Sequence, residues 1–140
     1  MKASINKATK ADIYELIRSY GEGKFTPGEV AFFKRCVSSA AQVYIGFIDG
    51  EITCFWGLVP PTLLSDHAYL WLYTTEGLAG HEFLFVRQSQ VALQQMLKEW
   101  PIITGHVLAQ NTKAIRWLRW LGAEFIPTEG AVIPFTIRRK

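Results

Sequence analysis

Hydrophobic residues recur at steps of three and four positions in four segments of the chain, and this spacing predicts four helices. The first is expected over residues 10–20, because Thr9 and Asp12 have the spacing of an N-terminal cap. The second is expected to begin at Pro27, a residue suited to the first turn of a helix. The other two are expected over residues 80–100 and 112–121.

Runs rich in β-branched and aromatic residues predict strands between and after these helices. Asp49 and Gly50 separate Gln42–Ile48 from Glu51–Val59, which is the strongest short hairpin signal in the sequence. Further strands are expected over residues 67–75, 102–109, 124–127 and 131–138. The order α, α, β, β, β, α, β, α, β, β therefore predicts a mixed α/β sheet with helices on both faces.

Composition favours a single globular domain over residues 1–140. Of the 140 residues, 49% are hydrophobic and 19% are charged, which is enough for one core. The formal net charge of +3 is mild and does not favour nucleic acid as a partner. No apolar run approaches the roughly 20 residues needed to cross a bilayer, so we expect no membrane span and a cytoplasmic protein.

Cysteines and histidines do not predict a metal site or a disulfide. Cys36 and Cys54 lie apart without CxxC spacing, and the three histidines add no metal-ligand spacing. A GxSxG nucleophile motif is also missing from the sequence. We therefore expect reduced core thiols and no metal cofactor.

The stretch NTKAIRWLRWLGAEF at 111–125 combines aromatic and basic residues on one short predicted helix. Its basic residues are three apart and form a stripe: Lys113, Arg116 and Arg119. Trp117 and Trp120 are expected at the edges of this stripe. It is either a solvated cationic face or a surface for phosphates or a partner, because arginine makes bidentate contacts to phosphate.

The same stretch carries a family resemblance. It resembles the pattern N-x-x-A-x-x-L-Y-x-K-x-G-F of the GNAT acyltransferase superfamily through Asn111, Ala114, Ile115, Trp117, Gly122 and Phe125. INKATKADIYELI is similar to the first strand and helix of that superfamily, which implies a short strand over residues 4–7. DGEITCFWGLV is similar to its following hairpin. The resemblance implies a GNAT fold, with a mostly antiparallel, splayed central sheet, and it implies acetyl-CoA and an amine acceptor.

A narrower resemblance is to small GNAT-like proteins of tailed bacteriophages. It rests on Trp71-Leu72 with Thr74, on Phe85, Arg87 and Ser89, and on residues 111–122. Some of those proteins are internal virion or head-associated proteins. The resemblance implies a phage or prophage origin, association with a virion, and phage structural proteins as alternative partners.

The GNAT resemblance also implies a turn for the coenzyme A pyrophosphate, of pattern Q/R-x-x-G-x-G/A, at residues 74–79. The sequence departs from this pattern because Thr74 replaces Gln or Arg and Glu76 adds a negative charge. An offset match places Gly80 at the first glycine position of the pattern and departs from it at Glu82. The pantetheine arm is expected between residues 70–74 and 104–109. The implied cofactor-binding residues are Leu72, Thr74, Gly77, Leu78, Ala79, Gly80, Asn111 and Arg116.

Candidate catalytic residues are Glu76, His106 and Tyr73. Glu76 and His106 are candidates for the general base, which must lie within hydrogen-bond reach of the attacking amine; His106 is alternatively a structural histidine. Leu118 stands where the resemblance expects a tyrosine that protonates the leaving thiolate. Tyr73 either replaces that tyrosine or belongs to the core. Two functions remain open: an acetyl-CoA-dependent N-acetyltransferase, and a catalytically inactive phage protein of the same fold that serves virion assembly or host interaction.

Overall fold

The structure is a computed structural model that describes residues 3–21, 25–62, 64–75, 78 and 80–139. The four helices of this part are α1 (Lys10–Gly21), α2 (Pro27–Ser39), α3 (Glu82–Glu99) and α4 (Thr112–Trp120). Its seven strands are β1 (Ala3–Lys7), β2 (Gln42–Ile48), β3 (Glu51–Val59), β4 (His67–Thr74), β5 (Ile102–Leu108), β6 (Glu124–Phe125) and β7 (Val132–Arg138). All the predicted elements are present, and β1 confirms the strand that the family resemblance implied.

The seven strands form one sheet in the order β1-β2-β3-β4-β5-β7-β6. Antiparallel pairing joins β1 to β2, β2 to β3, β5 to β7 and β6 to β7. The pairing of β4 with β5 is parallel and joins residues 67–69 to residues 102–104. The prediction of a mixed, mostly antiparallel α/β sheet is thus confirmed.

Contacts divide the chain into two compact units. One comprises residues 1–59 and 71–85, and the other comprises residues 60–70 and 86–140. Strand β4 contributes to both units. That residues 1–140 form a single domain stays a prediction.

Helix α1 begins at the cap that the sequence predicts, and α2 begins at a cap that was not predicted. The Thr9 N–H donates to the Asp12 carboxylate and the Asp12 N–H donates to the Thr9 hydroxyl, each over 3.1 Å. The Thr9 backbone N–H, followed by its side chain, lowers the pKa of the Asp12 carboxyl. Thr26 and Glu29 form the same reciprocal capping box at α2. These caps satisfy backbone N–H groups that would otherwise lack partners.

The β2–β3 hairpin turns at Asp49 and Gly50, as predicted. Their φ angles of 51° and 80° are both positive, as a two-residue type I′ turn requires. Beyond the turn, β2 carries an irregularity between Gly46 and Phe47. The turn therefore sets the pairing of Ile48 with Glu51 and of Phe47 with Ile52, and the irregularity shifts the register by one residue from Gly46 onward.

The core of the first unit contains large aromatic side chains. Trp71 packs over Gly57 so closely that a Cβ at Gly57 would lie 2.6 Å from the indole ring. Ile13, Ile17, Val37, Phe55 and Leu58 are also buried here. Because only glycine fits beneath the indole, the sequence of β3 depends on the tryptophan of β4.

The core of the second unit is formed by α3, α4, β5 and β7. Its buried side chains are Leu93, Leu97, Trp100, Ile103, Val107, Leu118, Phe135 and Ile137. Leu93, Leu97 and Trp100 belong to the apolar stripe that predicts α3. Gly122, with a φ of 97°, follows α4 and ends it as predicted. Gly80, with a φ of 83°, lies in the turn before α3, so that helix begins at Glu82 instead of residue 80.

Trp117 connects α4 to α3 by a relay of hydrogen bonds. Its indole N–H donates to the Ser89 hydroxyl over 2.8 Å, and that hydroxyl donates to the Val86 carbonyl over 2.7 Å. Trp117 is half-buried, whereas Trp120 is 53% exposed. One tryptophan of the stretch 111–125 therefore has a structural role, and the other lies on the surface.

The two cysteines differ in accessibility, which predicts different reactivity. Burial raises the pKa of the Cys54 thiol to about 11, and it also raises the pKa of the less buried Cys36. Because the thiolate is the reactive form, we expect a thiol reagent at pH 8 to modify Cys36 in the folded protein and Cys54 only after unfolding. Counting modified thiols with and without denaturant checks this; two modified thiols in the folded protein would contradict it.

No helix in the described part of the chain is long and apolar enough to span a membrane.

Candidate functional site

A double turn connects β4 to the N-terminus of α3 in the first unit. The Leu78 N–H donates to the Thr75 carbonyl over 3.1 Å, and the His81 N–H donates to the Leu78 carbonyl over 2.9 Å. Helix α3 continues directly, because the Phe85 N–H donates to the His81 carbonyl over 3.0 Å. The turn thus leads into a helix N-terminus, whose N–H groups and dipole favour an anion.

Thr75 anchors the start of this turn to β3. Its N–H donates to the Thr53 carbonyl over 2.9 Å, and its hydroxyl donates to the Ile52 carbonyl over 2.5 Å. Thr75 and Thr53 are both buried. The anchor holds the end of the turn that lies next to β4.

His81, at the other end of the turn, has a side-chain nitrogen without a hydrogen-bond partner among the described residues. Its Nδ1 is buried and makes no hydrogen bond to any residue that the structure describes. Leaving a buried polar atom unpaired costs about 1–3 kcal/mol. An anionic ligand at the N-terminus of α3 could remove this cost by accepting a hydrogen bond from the His81 ring.

Several residues of the predicted pyrophosphate site lie near this turn, and others cannot be placed. Leu78 and Gly80 belong to the turn, whereas half-buried Leu72 and exposed Thr74 end β4. Glu76, Gly77 and Ala79 lie outside the described residues. The assignment of these residues to cofactor binding, and of Glu76 to catalysis, stays a prediction.

His106 of β5 pairs with Tyr69 of β4 in the second unit. The His106 Nδ1 lies 3.2 Å from the Tyr69 hydroxyl, and the ring centroids are 5.6 Å apart at an angle of 44°. Tyr69 faces Thr104 in the parallel register, and His106 follows two residues later on the same face of β5. His106 is exposed, so the pair is accessible to a substrate.

Tyr73 belongs to an aromatic cluster of the first unit. Its ring centroid lies 5.1 Å from that of Phe25, 5.2 Å from that of Phe55 and 6.2 Å from that of Phe33. Tyr73 is half-buried. This packing supports the interpretation of Tyr73 as a core residue. A role for Tyr73 as the proton donor stays a prediction.

Asn111 is the N-cap of α4. Its Oδ1 accepts a hydrogen bond from the Ala114 N–H over 3.1 Å. The capping oxygen explains the asparagine of the sequence signature, since Asn is among the preferred N-cap residues. Binding of a cofactor by Asn111 stays a prediction.

The outer face of α4 is basic and aromatic. Lys113, Arg116 and Arg119 are all exposed. The Arg119 guanidinium lies 5.5 Å from the centroid of the Phe125 ring, in cation–π contact. The predicted basic stripe is present. Its exposure fits both a solvated cationic face and a surface that binds phosphates or a partner.

No group of three or more His, Cys, Asp or Glu side chains able to hold a metal is found among residues 3–21, 25–62, 64–75, 78 and 80–139.

Three residues with a place in these sites were not predicted from the sequence. Tyr69 approaches His106 only through the pairing of two strands, and Thr75 meets β3 only in the folded chain. His81 lies in the first turn of the helix predicted over residues 80–100 and directly precedes the observed helix α3. The only local signal for a role of His81 was the presence of a histidine at the start of this helix.

Comparisons with known proteins identify the fold. No protein-family model matches the sequence, and no curated protein matches it. The structure is similar to the acetyltransferase of the GNAT family from Streptococcus pneumoniae, at 15% sequence identity and a TM-score of 0.66, with 98% of this chain and 99% of that chain covered. It is also similar to the ribosomal-protein-S5-alanine acetyltransferase from Vibrio fischeri, at 12% sequence identity and a TM-score of 0.69, with 100% of this chain and 94% of that chain covered.

A third similar structure contains a ligand. It is the N-acetyltransferase PseH from Campylobacter jejuni in complex with acetyl coenzyme A, at 14% identity and a TM-score of 0.65, with 98% of this chain and 100% of that chain covered. At such low identities the similarity shows the fold alone. The structural neighbours are GNAT-family acetyltransferases, and the chain has their mixed α/β fold of seven strands and four helices in its described residues.

Proposed function

We propose that this protein is an N-acetyltransferase that transfers an acetyl group from acetyl-CoA to an amine. The turn between β4 and α3 carries this proposal. It is anchored by Thr75 and leads into a helix N-terminus. Beside it lies the buried Nδ1 of His81, which has no hydrogen-bond partner among the described residues. A neighbour of the same fold is in complex with acetyl coenzyme A, which supports the choice of ligand.

The pyrophosphate of the cofactor is assigned to this turn. Backbone N–H groups at the start of α3 offer donors to its oxygens, and the His81 ring offers one more. Leu78 and Gly80 belong to this turn, and Leu72 and Thr74 precede it. Gly77 and Ala79 are assigned to the same binding site from the sequence resemblance alone. The assignment of Arg116 and Asn111 of α4 to cofactor binding is a separate proposal, which rests on the family resemblance and on the ability of an exposed arginine to pair with a phosphate.

His106 is proposed as the general base. Bound acetyl-CoA supplies a thioester, whose acyl carbon forms a C–N bond with the amine while its C–S bond breaks. His106 accepts the proton that the amine loses, and its exposed ring is open to the acceptor. Tyr73 is the candidate for protonating the sulfur, and Glu76 is the alternative base.

A thermal melt with and without acetyl-CoA tests the proposal. A ligand that binds only the folded state adds about 2.7 kcal/mol at 100 times its Kd. For a chain of this length we expect the Tm to rise by several degrees. The shift should disappear in Gly77→Glu, which places a carboxylate at the proposed turn, and shrink in Arg116→Glu.

Gly130→Glu is the matched control for these melts. Gly130 is exposed, and a Cβ there meets nothing closer than 3.5 Å. This variant should keep the full shift. If millimolar acetyl-CoA leaves the Tm of the unmodified chain unchanged, the enzymatic proposal is rejected.

The exposed face of α4 favours a second candidate function. In this alternative, the protein is catalytically inactive and binds other proteins of a bacteriophage particle. Trp120 is 53% exposed beside Arg116 and Arg119. Tryptophan and arginine are enriched among the residues that dominate binding energies at protein interfaces. A phage or prophage origin rests on the sequence resemblance described above. Failure of acetyl-CoA to bind would direct the search to virion proteins as partners.

A further inference from the structure

The contact between Tyr69 and His106 joins two side chains that are 37 residues apart in the sequence. Tyr69 lies at the last residue pair of the parallel β4–β5 ladder, next to the fully buried Ala68. Its ring also packs against the imidazole, with centroids 5.6 Å apart. The phenol is therefore held in place by its strand and by ring packing, and it meets one particular nitrogen of His106.

Which nitrogen is engaged decides what the imidazole can do. A neutral imidazole has one N–H donor and one acceptor nitrogen, and the hydrogen bond of one nitrogen sets the role of the other. The 3.2 Å contact involves Nδ1. No hydrogen bond of the other ring nitrogen, Nε2, is found in the part of the chain that the structure describes. An Nδ1–H that donates to the phenol oxygen would leave the Nε2 lone pair available.

We infer that Tyr69 is a positioning residue, whose hydroxyl oxygen accepts a hydrogen bond from the His106 Nδ1–H and so keeps Nε2 as the proton acceptor. This inference rests on the proposed function, in which His106 takes the proton of the amine. As the C–N bond forms, that proton moves to Nε2. The Nδ1–H stays bonded to Tyr69 throughout, so the imidazolium keeps its orientation and then releases the proton to solvent.

The tautomer of His106 tests the inference without any substrate. In the ¹⁵N-labelled full chain at pH 8, ring correlation spectra should show the proton on Nδ1, with the His106 signals identified by their loss in His106→Gln. Tyr69→Phe keeps the ring but removes the acceptor, so the fraction protonated on Nε2 should increase. The signals of His67, whose Nδ1 lies beside Asp66, should not change. A proton on Nε2 in the unmodified chain, or an unchanged tautomer in Tyr69→Phe, would overturn the inference.

Kinetics provides the second readout. Tyr69→Phe should lower kcat by about 10-fold or more while KM changes by less than about twofold, because the base is misoriented and the binding contacts remain. Tyr44→Phe is the control, since it removes a hydroxyl that bonds to Gln42 on β2. An equal loss in both variants would reject a specific role for Tyr69. Failure of acetyl-CoA to bind would reject the proposed function but leave the tautomer measurement intact, so the two failures can be told apart.

Discussion

Replacing His106 with glutamine is expected to lower kcat/KM for acetyl transfer by about 100- to 10,000-fold, the usual contribution of a general base. Glutamine keeps a polar side chain of similar length but cannot accept the proton of the amine. His106 is exposed, so the folded state should lose little stability, within about 0.5 kcal/mol. The measurement is release of coenzyme A with the best acceptor from a panel of amines, together with a thermal melt of the variant.

His67→Gln is the matched control for this loss. His67 also lies on a strand of the second unit and contacts a neighbouring side chain, Asp66, over 3.2 Å. His67 has no role in the proposed chemistry, so the turnover rate of His67→Gln should stay within about twofold of the rate of the unmodified chain. If His106→Gln also retains full turnover, His106 is not the base, and Glu76 becomes the residue to replace.

Replacing Gly105 with alanine is expected to destabilise the fold by about 3 kcal/mol and to lower the Tm by about 10 °C. A Cβ at this position of β5 would lie 2.4 Å from the Phe135 Cζ and 3.2 Å from the Leu70 carbonyl oxygen. Phe135 is only 4% exposed, so its ring has little room to move away. Chemical denaturation of the variant measures the loss directly.

Two further variants show whether the collision with Phe135 is the cause. Gly130→Ala should change stability by less than about 0.5 kcal/mol, because a Cβ there meets no atom closer than 3.5 Å. In the double variant Gly105→Ala with Phe135→Leu, the smaller side chain should recover part of the loss, so the two effects should not add. Additive effects would show that the close contact between Gly105 and Phe135 is not what destabilises the protein.

Local sequence patterns predicted every helix and every strand except β1 to within a few residues in the described part of the chain. Thr9 with Asp12 predicts the cap of α1, and Asp49 with Gly50 predicts the turn between β2 and β3. These signals are informative because the groups involved are at most a few positions apart, so their hydrogen bonds and φ angles depend on neighbouring residues and not on which elements pack together. The resemblance in residues 111–125 extended the prediction to the GNAT fold, and the similarity of INKATKADIYELI to the first strand and helix of that superfamily added β1.

The candidate site could be predicted only in part, because its contacts depend on strand order and register. His106 was recognised as a candidate base from its residue type alone, but its partner Tyr69 is determined by the parallel pairing of β4 with β5. Likewise, Trp117 and Ser89 lie 28 residues apart and meet only where α4 packs on α3. Spacing along the chain reports which residues share one face of one element. Which faces then meet is decided by packing among all the elements, and that information is present only in the folded chain.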